Sequence, residues 1–152
     1  MNSESDKLFM GLAMELAHTA YENNEVPVGA VVVQNRNAEI LAAFSNQMRN
    51  TGSSLAHAEM LALQKSMEVI NNERLVGCNM YVSLEPCPMC AYAISKCNID
   101  TLYFGAEDVK GGGVINGVRI TFSENMFKPN IISGLYEEES TKLLKSFFKT
   151  KR

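Results

Sequence analysis

Apolar residues recur every third or fourth position over residues 5–23, where Leu8, Leu12, Leu16 and Ala20 align with Phe9, Ala13 and Ala17 on one face. That period predicts an amphipathic helix, and Ser5 or Asp6 is placed to cap its start. The run Val28-Gly29-Ala30-Val31-Val32-Val33 is apolar throughout, as in a strand covered on both faces. Gln34-Asn35-Arg36-Asn37 supplies turn formers, and residues 39–44 give a second strand. Residues 46–55 are polar, contain Asn50, Gly52, Ser53 and Ser54, and read as a loop that forms a substrate-facing wall leading into His57.

Helical spacing returns at Met60, Leu61, Leu63, Met67 and Ile70. Met80-Tyr81-Val82-Ser83-Leu84 and Thr101-Leu102-Tyr103-Phe104 are strands, separated by a helix for which Pro88 suits the first turn. Residues 105–117, with Gly111-Gly112-Gly113, read as a mobile loop that lacks the strand-to-helix step of a phosphate loop. Residues 118–122 and 129–134 add short strands. Residues 136–152 close the chain as a helix, with Leu143, Leu144, Phe147 and Phe148 inward and Lys142, Lys145, Lys149 and Arg152 outward. The order of elements predicts an α/β fold, a three-layer α/β/α sandwich on a central mixed sheet of about five strands.

At 152 residues the chain has room for one domain, taken as residues 1–152. Hydrophobic residues make up 46% and charged residues 20%, as in an ordinary globular protein. The polar opening residues lack the layout of a signal peptide, and no apolar run is long enough to cross a bilayer, so a cytoplasmic protein with no membrane partner is expected. Four cysteines without a sign of export argue for metal or core use rather than disulfides. Cys78 and Cys97 fit as small buried hydrophobes. A net charge of −3 argues against an all-over nucleic-acid binder but not against a local basic stripe.

The chemistry concentrates in His57-Ala58-Glu59 and, thirty residues on, Cys87-Pro88-Met89-Cys90. One imidazole and two thiols are the three protein ligands of a catalytic zinc, whose fourth position stays open. Glu59 is left uncommitted, able to move protons. His57 and Glu59 are two apart, which in mid-helix would separate them, so the helix is expected to begin at or close to His57. At a helix start, Cys87 and Cys90 would share one side and have their thiolates favoured by the dipole. A structural zinc site would need a fourth protein ligand, and thioredoxin-like redox use would not call for the His-x-Glu. The paired order H-x-E…P-C-x-x-C is that of zinc nucleobase deaminases.

Glu25-Val26-Pro27-Val28-Gly29-Ala30-Val31, Ala56-His57-Ala58-Glu59, Leu84-Glu85-Pro86-Cys87-Pro88-Met89-Cys90, Phe104-Gly105-Ala106-x-Asp108-x-Lys110 and the closing Phe147-Phe148-Lys149-x-Lys151-Arg152 together resemble the bacterial tRNA-specific adenosine deaminases, of the cytidine-deaminase-like superfamily. The resemblance implies hydrolytic deamination of the wobble adenosine of an arginine tRNA to inosine, by a homodimer with one Zn2+ per subunit. It implies that His57, Cys87 and Cys90 bind the metal and that Glu59 shuttles protons. Asn46, Val28 and Ala58 would meet the flipped nucleotide, and Asp108, Lys110, Phe148, Lys149 and Arg152 would lie along the anticodon stem-loop. A free-base deaminase of guanine or cytosine type is the rival reading. Two departures stand out: Gly52-Ser53-Ser54-Leu55 where the family often has Asp-Pro-Thr before the Ala-His, and lysine where arginine is frequent near the C-terminus, which keeps charge but loses the bidentate fork.

Overall fold

The structure, a computed structural model, describes residues 3–120 and 123–150. Ten elements follow one another: α1 (Glu4–Glu22), β1 (Gly29–Gln34), β2 (Glu39–Ser45), α2 (Met48–Thr51), α3 (Ala58–Ile70), β3 (Cys78–Leu84), α4 (Pro88–Lys96), β4 (Thr101–Ala106), β5 (Asn130–Ser133) and α5 (Glu137–Thr150). The five strands form one mixed sheet in the order β2-β1-β3-β4-β5. β1 is antiparallel to both β2 and β3, whereas β3, β4 and β5 run parallel. Parallel neighbours need a crossover connection, and α4 provides the one between β3 and β4.

Side chains alternate across the sheet and so divide the core in two. Ala30, Val32, Met80, Val82, Leu102 and Phe104 face α3 and α4. Val31, Val33, Tyr81 and Tyr103 face α1. This is the three-layer α/β/α sandwich expected from the sequence. Phe104 is fully buried, and truncating it to Ala would cost about 3–5 kcal/mol. α1 crosses β1 so closely that a Cβ at Gly29 would run into the Ala13 carbonyl.

Several local expectations are corrected. α1 is capped by Ser3, whose hydroxyl accepts the Asp6 N–H while the Asp6 carboxylate accepts the Ser3 N–H; the cap is a residue pair, not Ser5 or Asp6 alone. Its buried face is Phe9, Met10, Ala13, Met14, Ala17 and Ala20; Leu8 is 70% exposed, because the face turns one step from the Leu8–Leu12–Leu16 row. The predicted loop over residues 46–55 contains the short helix α2. In α3 the deepest residues are Ala58, Glu59, Ala62, Leu63 and Ser66, with Met60 and Leu61 on the half-buried flank. Residues 118–120 form no strand, and Thr121 and Phe122 lie outside the described residues. In α5, Phe147 is buried but Phe148 is 48% exposed. No helix among the described residues is long and apolar enough to cross a membrane.

Candidate active site

Two helices begin at the same point in space. His57 is the N-cap of α3, with extended backbone (φ −67°, ψ 146°), and Cys87 is the N-cap of α4 (φ −67°, ψ 170°), followed by Pro88 in its first turn. Neither N-cap side chain caps its own helix; each points to the other. His57 Nδ1 lies 3.7 Å from Cys87 Sγ and 3.5 Å from Cys90 Sγ. Their donor atoms all fall within 4.8 Å of one another, the one such His, Cys, Asp or Glu group among the described residues. An imidazole and two sulfurs suit zinc, and with no fourth side chain in the group a tetrahedral ion would keep one position open.

The Cys90 thiol donates to Cys87, outweighing burial, and with help from His57 brings the Cys87 thiol down to about 4. The same contact, then burial and the nearby Glu59 charge, push the Cys90 thiol up. His57 is raised by its hydrogen bond to Cys87 against the opposing effect of burial. A divalent cation bound by these donors would take the place of their thiol protons.

Glu59, in the first turn of α3, is buried at 4% exposure. Burial raises its carboxyl to about 7, despite its own backbone N–H, which favours the charged form. A carboxyl poised there can both take and return a proton near neutrality. The extended backbone at His57 lets it and Glu59 address one site although they are only two residues apart, as expected from the sequence.

The residues assigned to substrate fall into two groups. Asn46 and Val28 are buried, and the Asn46 N–H donates to the Val28 carbonyl. Asn46 Oδ1 accepts the N–H of Ala58 at 3.1 Å, so a side chain from the pocket wall serves as the cap that His57 does not provide. Ala58 is fully buried. The second group lines a cavity of about 690 Å³, where Asp108 and Lys110 face Lys145, Phe148 and Lys149 of α5. Phe148, expected to point into the core, instead presents its ring there. The lysine stripe also divides: Lys145 and Lys149 line this cavity, while Lys142 lines another with His18, Glu137, Glu138 and Glu139. Arg152 lies outside the described residues.

Residues 3–106 match the cytidine and deoxycytidylate deaminase zinc-binding region. A tRNA-specific adenosine deaminase from Agrobacterium fabrum is 44% identical over 146 residues, 95% of this chain and 94% of its own length. The chain belongs to the tRNA-specific adenosine deaminase family. A solved structure from a study of A-to-I editing by tRNA:A34 deaminases at the wobble position is similar at a TM-score of 0.86 and 43% identity, covering 90% of this chain and 99% of that one. A guanine deaminase from Bacillus subtilis is less similar, at a TM-score of 0.62 and 33% identity over 70% of this chain and 66% of its own.

Against the family pattern, the departure at Ser53 keeps a turn. The Ser53 hydroxyl accepts the Leu55 N–H at 3.2 Å and the Ser53 carbonyl accepts the Ala56 N–H, closing the loop as an Asx-type turn does. Leu55 is left 62% exposed.

Two buried carboxylates escaped the sequence reading. Glu25 accepts the N–H groups of Arg49 and Asn50 at 3.0 and 2.8 Å, capping α2, whose own N-cap Gln47 makes no side-chain cap. Glu85 accepts from Asp108, Val114, Ile115 and Asn116, which corrects the expectation of a mobile glycine loop: the loop is tied to the residue two positions before Cys87. Their one signal in the sequence is an acid beside an otherwise apolar stretch; partners 23 to 31 residues away leave no local trace.

Proposed function

We propose that this protein converts adenosine to inosine at the wobble position of a tRNA anticodon, with an arginine tRNA as the expected substrate. What carries the reading is a His57–Cys87–Cys90 donor group beside buried Glu59, together with a cavity lined by Lys110, Lys145, Lys149 and an exposed Phe148. Cationic side chains around an accessible aromatic ring suit single-stranded RNA, whose bases stack and whose phosphates pair.

His57, Cys87 and Cys90 would hold zinc, which when bound lowers the pKa of a water to about 7. Val28 packs against the flipped base and the Asn46 amide nitrogen donates to the nucleotide, its Oδ1 being occupied by Ala58. Glu59 accepts a proton as water oxygen bonds to the ring carbon bearing the amine. It delivers that proton to the neighbouring ring nitrogen, then takes the remaining proton of the added hydroxyl and conveys it to the amine as the carbon–nitrogen bond breaks and ammonia leaves. Water and adenosine thus become inosine and ammonia. The whole chain acts as one deaminase domain, in a cytoplasmic homodimer with one zinc per subunit.

The rival is deamination of a free base such as guanine, which the likeness to a guanine deaminase supports. Zinc-loaded protein incubated separately with free guanine and with an anticodon stem-loop carrying wobble adenosine distinguishes them. Inosine in the RNA, without ammonia release from guanine, is the expected result. Ammonia release from guanine with unchanged RNA would reverse the assignment.

A further inference from the structure

Glu85 follows the last residue of β3 and stands two residues before Cys87. It is 2% exposed, yet its carboxylate sits against five donors. Oε1 accepts the Asp108 N–H at 3.0 Å and the Asn116 side-chain amide at 2.6 Å. Oε2 accepts the N–H groups of Val114, Ile115 and Asn116 at 3.1, 3.0 and 3.0 Å. A buried carboxylate is tolerated only when such donors replace its water, so this one imposes a fixed path on residues 108–116.

The same segment is also joined to the metal-ligand turn through the backbone. The Gly113 N–H donates to the Pro86 carbonyl at 2.9 Å. A Cβ at Gly112 would collide with the Glu85 carboxylate, and one at Gly113 with Pro88. The glycines are therefore where the loop approaches the ligand turn too closely for any side chain. At its start the loop carries Asp108 and Lys110, which line the cavity facing Phe148 and Lys149.

We infer that Glu85 is a positioning residue for RNA: its carboxylate sets where Asp108 and Lys110 stand relative to the Cys87–Cys90 turn, so that the groove and the reacting base come into register together. The inference rests on the tRNA reading above, because it takes the cavity to be an RNA groove. A merely structural carboxylate would affect melting temperature and leave the Michaelis constant of the folded, metal-loaded protein unchanged.

Asn116→Ala removes one donor to Glu85 and leaves the carboxylate in place; Gly112→Ala pushes on the carboxylate from the loop side; Glu85→Gln changes the acceptor itself. Each variant, with the wild type, is assayed for zinc content, melting temperature, and KM and kcat for inosine formation in an anticodon stem-loop. Asn116→Ala also removes the longer, exposed bond to Glu107 at 3.3 Å, and it is expected to keep its zinc and raise KM about tenfold with kcat within about twofold, the size of losing the hydrogen bond to the buried Glu85 carboxylate. Glu85→Gln and Gly112→Ala, where folded, should raise KM further. An unchanged KM in zinc-loaded Asn116→Ala overturns the inference while leaving the tRNA reading intact. A wild type that forms no inosine removes both.

Discussion

Asn46 Oδ1 accepts the backbone N–H of Ala58 at 3.1 Å, which makes the pocket wall and the first turn of α3 one unit. Because His57 is turned toward the two sulfurs, the helix that carries Glu59 depends for its cap on Asn46, twelve residues before Ala58. The same side chain thus has a folding task at its oxygen and, in the proposed mechanism, a binding task at its nitrogen.

That division predicts a split between two substitutions. Asn46→Ala should cost about 1 kcal/mol through the lost cap and also stop inosine formation. Asn46→Asp keeps an acceptor for Ala58 and should regain the stability while remaining inactive, since it has no amide donor. Thermal melting and an inosine assay on the same samples measure both. Recovery of activity in Asn46→Asp would remove the nitrogen from the binding scheme.

The α5 lysines are expected to differ in their response to salt. Affinity for an anticodon stem-loop should fall with added salt, and Lys145→Ala or Lys149→Ala should each reduce the slope of log affinity against log salt by about 1. Lys142→Ala should leave the slope unchanged, because Lys142 lines the cavity with His18 and the glutamates instead. Binding titrations at four or five salt concentrations measure this; equal slopes for all three variants would detach the groove from RNA.

Acid should expose the role of Asp6. Its carboxylate is buried, which alone would raise its pKa, but the Tyr81 hydroxyl at 2.6 Å and both Ser3 groups outweigh that and lower it below the ordinary 3.8. A folded pKa below the unfolded one means that the unfolded chain binds the proton first. The stabilisation is therefore present above 3.8 and disappears as pH falls through the lower, folded value. Asp6→Asn should lose about 1.5–3 kcal/mol at pH 7, with the gap to wild type closing below that window. Denaturant melts across the acid range check it.

Chelation should loosen the fold as well as stop the chemistry. A metal held by this donor group would tie the starts of α3 and α4 together across thirty residues of chain, so zinc is expected to favour the folded state. Melting temperature should drop on dialysis against a strong chelator and return with added zinc.

The sheet and its flanking helices were legible because periodicity records burial: the run from Val28 to Val33 is covered on both faces, and the strand ends are marked by turn formers. The donor group was legible because its members come as two short motifs, each at a helix start. What escaped was cooperation at a distance. Glu25 and Glu85 act through backbone N–H groups, which carry no side-chain signature, and the glycines of residues 111–113 look flexible until Glu85 is seen against them. Phe148 continues an apolar row and so reads as core, yet it is 48% exposed and lines the cavity beside Lys145 and Lys149, while its neighbour Phe147 is the buried one.

The proposed division of labour, with His57, Cys87 and Cys90 holding metal and Glu59 carrying protons, is tested most directly by measuring zinc content and inosine formation in Glu59→Gln. One zinc per chain, a wild-type melting temperature and no inosine in a wobble-adenosine tRNA is the expected result. Inosine formed at the wild-type rate by that variant would contradict it.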